Sequence, residues 1–215
     1  VSDPQLLNKI CVSWNSGMAD YSLYGPHRSF LNAKLRSNKF LNYPNKIALA
    51  DSERAIEISC RFNTNYSRET VAAQRKMLAK KMSAIIPTEK LNRRNFFDEL
   101  INSKVVLSPF GWGEITLKDF EVFLTGGLLL KPNMDHMRTW PNFYINKKTV
   151  LFHKWDLSDL DKIISNIIKQ TEQRIDIAQA AQRTYLSYTY HSEAFEKFMK
   201  QFLSIIKFEG VQDAI

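Results

Sequence analysis

Residues 104–132 read KVVLSPFGWGEITLKDFEVFLTGGLLLKP, and this stretch decides the fold. The β-branched run at 104–107 and the apolar run at 127–130 are each short enough to be strands buried on both faces. Between them, a glycine-bearing loop at 108–113 leads into a predicted helix at 116–125. Because ligands of open α/β sheets bind beyond the carboxyl ends of the strands, we expect a binding site at this loop.

The alternation of strands and helices continues on both sides of this stretch. Further strands are predicted at 55–60 and 149–152. Helices are predicted at 71–86 (with Ile85 on its apolar side), 92–102, a segment capped by Ser158, 172–185 and 192–206. Strands that alternate with helices of ten or more residues predict an α/β fold, a Rossmann-like doubly wound parallel sheet flanked by helices.

The chain divides into three predicted parts. Residues 1–45 are rich in turn-forming residues and lack a sustained period, which indicates a linker or the remnant of a preceding domain. Residues 46–207 form the predicted α/β domain, and 208–215 are a tail.

The amino-acid composition of the chain narrows the range of possible functions. The 215 residues carry 30 Lys and Arg against 22 Asp and Glu, a net charge of +8, with 44% hydrophobic residues. These figures exclude collagen-like, low-complexity and disordered chains, and they favour an anionic partner. No apolar run reaches the roughly 18–20 residues that a membrane helix needs. Two cysteines, Cys11 and Cys60, are too few for a disulfide framework, so we expect a reducing, cytoplasmic setting.

The loop and the helix after it have the chemistry of an anion site. Gly111 and Gly113 allow a ligand to approach the backbone closely, and the start of the helix offers free N–H groups and a positive dipole end. Thr116 is expected either to cap this helix or to donate its hydroxyl to the anion.

Glu121 falls on the apolar stripe of the helix and needs a partner, since burying an unpaired carboxylate is costly. A ribose hydroxyl is one candidate partner. The alternative is that Glu121 pairs with a neighbouring arginine and Glu114 complements the helix dipole.

The same stretch resembles the nucleotide-sugar-binding half of GT-B glycosyltransferases of the group 1 kind. Those enzymes carry a Glu-x7-Glu element at this strand, loop and helix, and Glu121 matches the second glutamate, which holds the nucleotide ribose in the family. Residues 126–130 match the small residues and the strand that follow. The resemblance covers roughly residues 56–203, including a tail similar to the closing helices of the family.

The resemblance also implies roles for other residues. Glu114 is the candidate for the first glutamate, which contacts the transferred sugar. That glutamate belongs eight positions before Glu121, where this chain has Gly113, so either the loop is one residue tighter or Glu114 is not the homologous group. Arg61, at the carboxyl end of a strand, is the main candidate to neutralise the diphosphate leaving group. Arg75 is a second candidate, and the alternative is that it lies on a solvated helix face. With Glu114 as the catalytic candidate, the implied donor-binding residues are Glu121, Gly113, Thr116, Arg61, Ser108, Trp112 and Arg75.

The resemblance implies the donor-binding half of a glycosyltransferase that moves a sugar from a nucleotide-sugar to a glycan or lipid-linked acceptor, as in polysaccharide biosynthesis. A retaining reaction without metal or other cofactor is expected, in the cytoplasm or peripherally at the inner face of the membrane. Asp159 and Asp161 form an Asp-x-Asp pair, a pattern that binds a metal ion in other glycosyltransferases. Here they lie in the first turn of a helix, where acidic residues are expected because of the helix dipole, so no metal site is predicted. The alternative is a non-catalytic basic α/β module that binds nucleotides, nucleic acid or an anionic membrane surface. No nucleic-acid partner is expected, because the positive charge is dispersed and no recognition motif is present.

Overall fold

The computed structural model describes residues 10–14, 27, 30, 34, 35 and 47–206. The predicted linker at 1–45 lies largely outside the described residues, and the predicted tail at 208–215 lies entirely outside them. The described core is a four-stranded parallel sheet whose strands stand in chain order. The strands are β1 (Ile56–Ser59), β2 (Ser103–Leu107), β3 (Leu128–Pro132) and β4 (Leu151–His153).

Six helices accompany these strands within residues 47–206. They are α1 (Glu69–Met82), α2 (Arg93–Asn102), α3 (Leu117–Thr125), α4 (Leu160–Lys169), α5 (Thr171–Thr189) and α6 (Ala194–Ile206). None of the helices in the described part of the chain combines the length and the apolar character that a membrane crossing requires.

The helices pack on both faces of the sheet because the strands are apolar on both faces. On one face, Val106 and Leu129 contact a core that includes Phe123 of α3 and residues of α2. On the other face, neighbouring strand residues contact a core that includes Leu78 of α1 and Ile167 of α4. Helix α5 contributes to both cores. The predicted α/β class, with a parallel sheet flanked by helices, is confirmed.

Several predicted helix ends are wrong; α5, for example, was predicted to end at residue 185 but continues to Thr189. The first predicted helix extends to residue 86, but α1 ends at Met82 and the chain continues in turns, with the Ile86 N–H donating to the Met82 carbonyl at 2.9 Å. Ile85, predicted on the apolar side, is therefore 67% exposed. Ser158 does not cap α4: Asp159 occupies the N-cap position, and the Ser158 N–H donates to the Asp156 carboxylate.

Helix α3 has strongly defined ends, which fixes the loop before it. At its start, the Asp119 carboxylate accepts hydrogen bonds from the backbone N–H and the hydroxyl of Thr116, at 3.0 and 2.9 Å. At its end, Gly126 is left-handed, with φ 71°, and a Cβ there would lie 2.6 Å from the Ala48 carbonyl oxygen. The helix therefore presents its first turn at the carboxyl edge of the sheet.

Candidate functional site

A cleft of about 1060 Å3 opens beyond the carboxyl ends of β1 and β2. Its walls are the segment after β1 (61–67), the loop and helix start after β2 (108–118), and the residues that lead into α2 (90–93). This is the edge at which the topology of a parallel α/β sheet predicts ligand binding.

The cleft brings together the seven residues of the implied donor-binding set. Glu121, Gly113, Thr116, Arg61, Ser108, Trp112 and Arg75 all line it. The candidate catalytic residue is placed differently. Glu114 is not among the lining residues, and its Oε1 lies 3.5 Å from Nε2 of His136 in the β3–β4 connection. The functional roles of all eight residues stay predictions.

Arg61 already has a carboxylate partner. Its Nε and Nη2 lie 3.0 and 2.9 Å from the Glu99 carboxylate on α2, which also accepts a hydrogen bond from the Ser59 hydroxyl. The side chains of Arg61 and Glu99 are only 15% and 13% exposed. Glu99 therefore balances most of the charge that Arg61 would offer to an anion.

Arg75 is held by backbone carbonyls instead. Its Nε donates to the Phe110 carbonyl at 2.6 Å, its Nη1 donates to the Asn63 carbonyl at 2.8 Å, and the guanidinium lies 4.4 Å from the centre of the Tyr66 ring. Burial lowers the pKa of Arg75. Arg75 therefore joins the loop after β1 to the loop after β2 and forms the floor of the cleft.

Glu121 has an arginine neighbour at the cleft wall. Its Oε1 lies 3.3 Å from Nη1 of Arg93, and the two side chains are 8% and 39% exposed. This contact is the one that the alternative interpretation of Glu121 expects. It does not exclude a role in binding, because both side chains line the cleft.

A buried network holds the loop between β2 and α3. The Asp119 carboxylate accepts hydrogen bonds from the hydroxyls of Ser108 at 2.7 Å, Thr116 at 2.9 Å and Tyr144 at 3.0 Å, and it pairs with the Lys131 ammonium at 2.7 Å. The side chains of Asp119 and Lys131 are completely buried. Burial lowers the pKa of Lys131, while Asp119 opposes that shift. Thr116 therefore caps the helix, and the network fixes both predicted hydroxyl residues.

The rim of the cleft carries an open aromatic ring. Trp112 is 67% exposed, the guanidinium of Arg68 lies 5.1 Å from the centre of its ring, and Arg68 Nη1 donates to its carbonyl at 2.9 Å. A Cβ on Gly113 would meet nothing within 4 Å, whereas one on Gly111 would lie 3.3 Å from Thr116. Of the two predicted glycines, Gly111 is the one at a close approach, and Gly113 leaves the rim open.

Three cationic residues outside the implied donor-binding set also line the cleft, namely Lys118, Lys90 and Arg93. Lys118 is the second residue of α3, and burial lowers its pKa to about 8. One signal was available: Lys118 stands three residues before Glu121 and therefore on the same side of the helix. Among the described residues that line the cleft, five are cationic and one is acidic. They are Arg61, Arg75, Lys90, Arg93 and Lys118, against Glu121.

No group of three or more His, Cys, Asp or Glu side chains suited to a metal ion occurs in the described part of the chain. The Asp-x-Asp pair has other contacts. Asp161 pairs with Lys81 at 2.6 Å, and Asp159 accepts a hydrogen bond from the backbone N–H of Lys154 at 2.8 Å.

No protein-family model matches the chain, and no curated protein matches its sequence. The solved structures that are similar to it include the following three. HepE from Anabaena, in complex with UDP-glucose, has a TM-score of 0.46 and 12% identity, over 86% of this chain and 55% of that chain. The C-terminal domain of the glycosyl transferase group 1 family protein LpcC from Francisella tularensis has a TM-score of 0.39 and 13% identity, over 68% of this chain and 89% of that chain. A mutant of TarM from S. aureus, in complex with fondaparinux, α-GlcNAc-glycerol and UDP, has a TM-score of 0.43 and 13% identity, over 78% of this chain and 37% of that chain.

The chain thus spans 55% of the length of HepE and 37% of that of TarM. The solved structures to which it is similar are GT-B glycosyltransferases, the fold that the sequence resemblance indicates.

Proposed function

We propose that this chain is the donor-binding half of a glycosyltransferase and that the cleft beyond β1 and β2 binds a nucleotide-sugar. The observation that carries the proposal is the lining of the cleft, in which five cationic side chains and one carboxylate lie below an exposed tryptophan. A nucleoside diphosphate has the complementary parts, namely two phosphates, ribose hydroxyls and a flat base.

Each part of the nucleotide has a chemical counterpart in the cleft. The cationic side chains and the first turn of α3 suit the diphosphate, whose charge grows as the glycosidic bond breaks. The Glu121 carboxylate suits the ribose hydroxyls as an acceptor of charge-assisted hydrogen bonds, while Arg93 orients it from one side. The exposed ring of Trp112 suits stacking on the base.

The rest of the reaction belongs to the same proposal. Transfer retains the configuration of the sugar and needs no metal, because cationic side chains and a helix dipole take the place of the ion. The acceptor is a glycan or a lipid-linked glycan, and it binds in a cleft against a second domain. Glu114 lies outside the cleft of this chain, so its proposed contact with the sugar requires the sugar to extend past the rim toward His136.

Calorimetric titration with UDP, UDP-glucose, GDP, ADP and CMP tests the proposal, with a short oligonucleotide and anionic vesicles as separate titrants. We expect one nucleoside diphosphate to bind, with an affinity that EDTA does not change. Binding of the oligonucleotide or the vesicles without binding of any nucleotide would contradict the proposal and favour the basic module.

A further inference from the structure

Lys118 occupies an unusual position among the cationic groups of the cleft. Its ammonium donates a hydrogen bond to the Arg61 carbonyl at the end of β1 and lies 5.7 and 5.9 Å from the ring centres of Phe62 and Phe96. The side chain is only partly exposed and lines the cleft. The ammonium is thus held between two aromatic rings at the first turn of α3, where the positive end of the helix dipole also lies.

Of the other four cations of the cleft, Lys90 is exposed to solvent, and the three arginines have partners of their own. Arg61 is paired with Glu99, and Arg93 is paired with Glu121. Arg75 directs its guanidinium at two backbone carbonyls. In the described part of the chain, no ion pair joins a carboxylate to Lys118. A desolvated ammonium without a counter-ion gains more from an incoming phosphate than a guanidinium that is already neutralised.

From this arrangement we infer that Lys118, rather than Arg61, is the main ligand of the diphosphate in this cleft. The inference rests on the proposed function, because it assigns a role within the same site.

The electrostatic surroundings of Lys118 add an expected consequence, namely that it takes up a proton from solvent when the nucleotide-sugar binds. Burial, with a smaller contribution from Arg75 on α1, lowers its pKa to about 8, while Cys60 after β1 and Asp119 and Glu121 on α3 oppose this shift. At the end of β1 lie the Cys60 thiol, whose pKa burial raises to about 12, and Arg61, whose charge Glu99 of α2 balances. Near pH 8 a large fraction of Lys118 is therefore neutral in the free protein, and a bound phosphate would favour the charged form.

Calorimetry with UDP-glucose, ADP-glucose and GDP-mannose tests the inference. The phosphates of these donors are diesters, so their charge does not change in this pH range. In the parent protein, the heat of binding at about pH 8 should depend on the ionisation enthalpy of the buffer, with an uptake of about half a proton. Above pH 8 the affinity should decrease with rising pH, and the decrease should approach about tenfold for each pH unit.

Two substitutions and one control separate the charge of Lys118 from its shape. Lys118→Met should raise the Kd about 10- to 100-fold at neutral pH and abolish the proton uptake. Lys118→Arg should keep binding but remove its dependence on pH, because a guanidinium does not titrate in this range. Lys162→Met, which removes the same charge from the exposed side of α4, should change the Kd by less than about twofold. Thermal unfolding of each variant checks that it is folded.

The two proposals fail differently. If the parent binds a nucleotide-sugar while folded Lys118→Met binds it equally well and no proton is taken up, the inference is overturned and the proposed function stands. If the parent binds none of the three donors and no inorganic pyrophosphate, both are overturned.

Discussion

Glu121→Gln is the substitution that separates a binding role from a structural role for this carboxylate. Glutamine keeps the size of the side chain and one oxygen acceptor but removes the charge. Because the Glu121 side chain is 8% exposed and lines the cleft, its hydrogen bonds to ribose hydroxyls would be charge-assisted and shielded from water. Such bonds contribute about 1.5–3 kcal/mol, so we expect nucleotide affinity to fall about 10- to 100-fold.

The cost to folding is expected to be small. The substitution also weakens the 3.3 Å contact with Arg93, but that arginine is 39% exposed, so solvent screens the pair. Ion pairs of this kind contribute about 0–1 kcal/mol. For a chain of this size, the melting temperature should then fall by no more than about 4 °C.

The assay is calorimetric titration of the parent and of Glu121→Gln with the nucleotide that binds the parent, together with thermal unfolding of both. Glu172→Gln, on the exposed first turn of α5, is the matched control for loss of one carboxylate. The opposite pattern would refute the reasoning: a large fall in melting temperature with unchanged affinity of the folded protein would make Glu121 a structural residue and not a ligand of the nucleotide.

Five further substitutions test other parts of the account. Glu114→Gln should leave UDP binding unchanged and weaken UDP-glucose binding in calorimetry, if Glu114 meets the sugar; equal effects on both ligands would contradict that role. Lys131→Met should lower the unfolding free energy in urea by about 3–5 kcal/mol, because it leaves a fully buried carboxylate without its ammonium; a loss below about 1 kcal/mol would contradict the assigned network. Gly126→Ala should destabilise by about 1–3 kcal/mol, since its φ is 71° and the Cβ would strike a carbonyl, whereas Gly113→Ala, with open space around it, should melt like the parent. Lys118→Met should be more stable than the parent at neutral pH by about 1–3 kcal/mol, because the folded state lowers the pKa of Lys118 from 10.5 to about 8 and so disfavours its charged form. The parent should recover this stability as the pH rises from 8 to 10.5. A difference in melting temperature between the two proteins that stays constant over this range would contradict the lowered pKa.

The two central strands, β2 and β3, were predictable because each contains a short apolar run with no competing period. The segment at 103–107 shows this well, since Val105, Val106 and Leu107 are fully buried and can serve only a strand covered on both faces. The end of α1 was not predictable in the same way. Ile85 continues the apolar spacing of the helix, yet the chain has already turned after Met82, and apolar spacing alone does not mark that turn.

The position of the cleft followed from the strand order and the glycine-bearing loop, but the pairing of charges within it did not. Glu99 lies 38 residues after Arg61, and Lys131 lies 12 residues after Asp119, so only the packed fold brings these groups together. Lys131 would pass as the solvent-facing end of a strand, although its side chain is completely buried. The same lack of tertiary information left Lys118 unnoticed.

The central claim is that a nucleoside diphosphate binds beyond the carboxyl ends of β1 and β2. A crystal structure of the chain grown with saturating UDP tests it most directly. The account predicts the diphosphate at the first turn of α3 beside Lys118, the ribose on Glu121 and the base against Trp112. Density for the nucleotide elsewhere on the protein, or an empty cleft at saturating UDP, GDP and ADP, would contradict it.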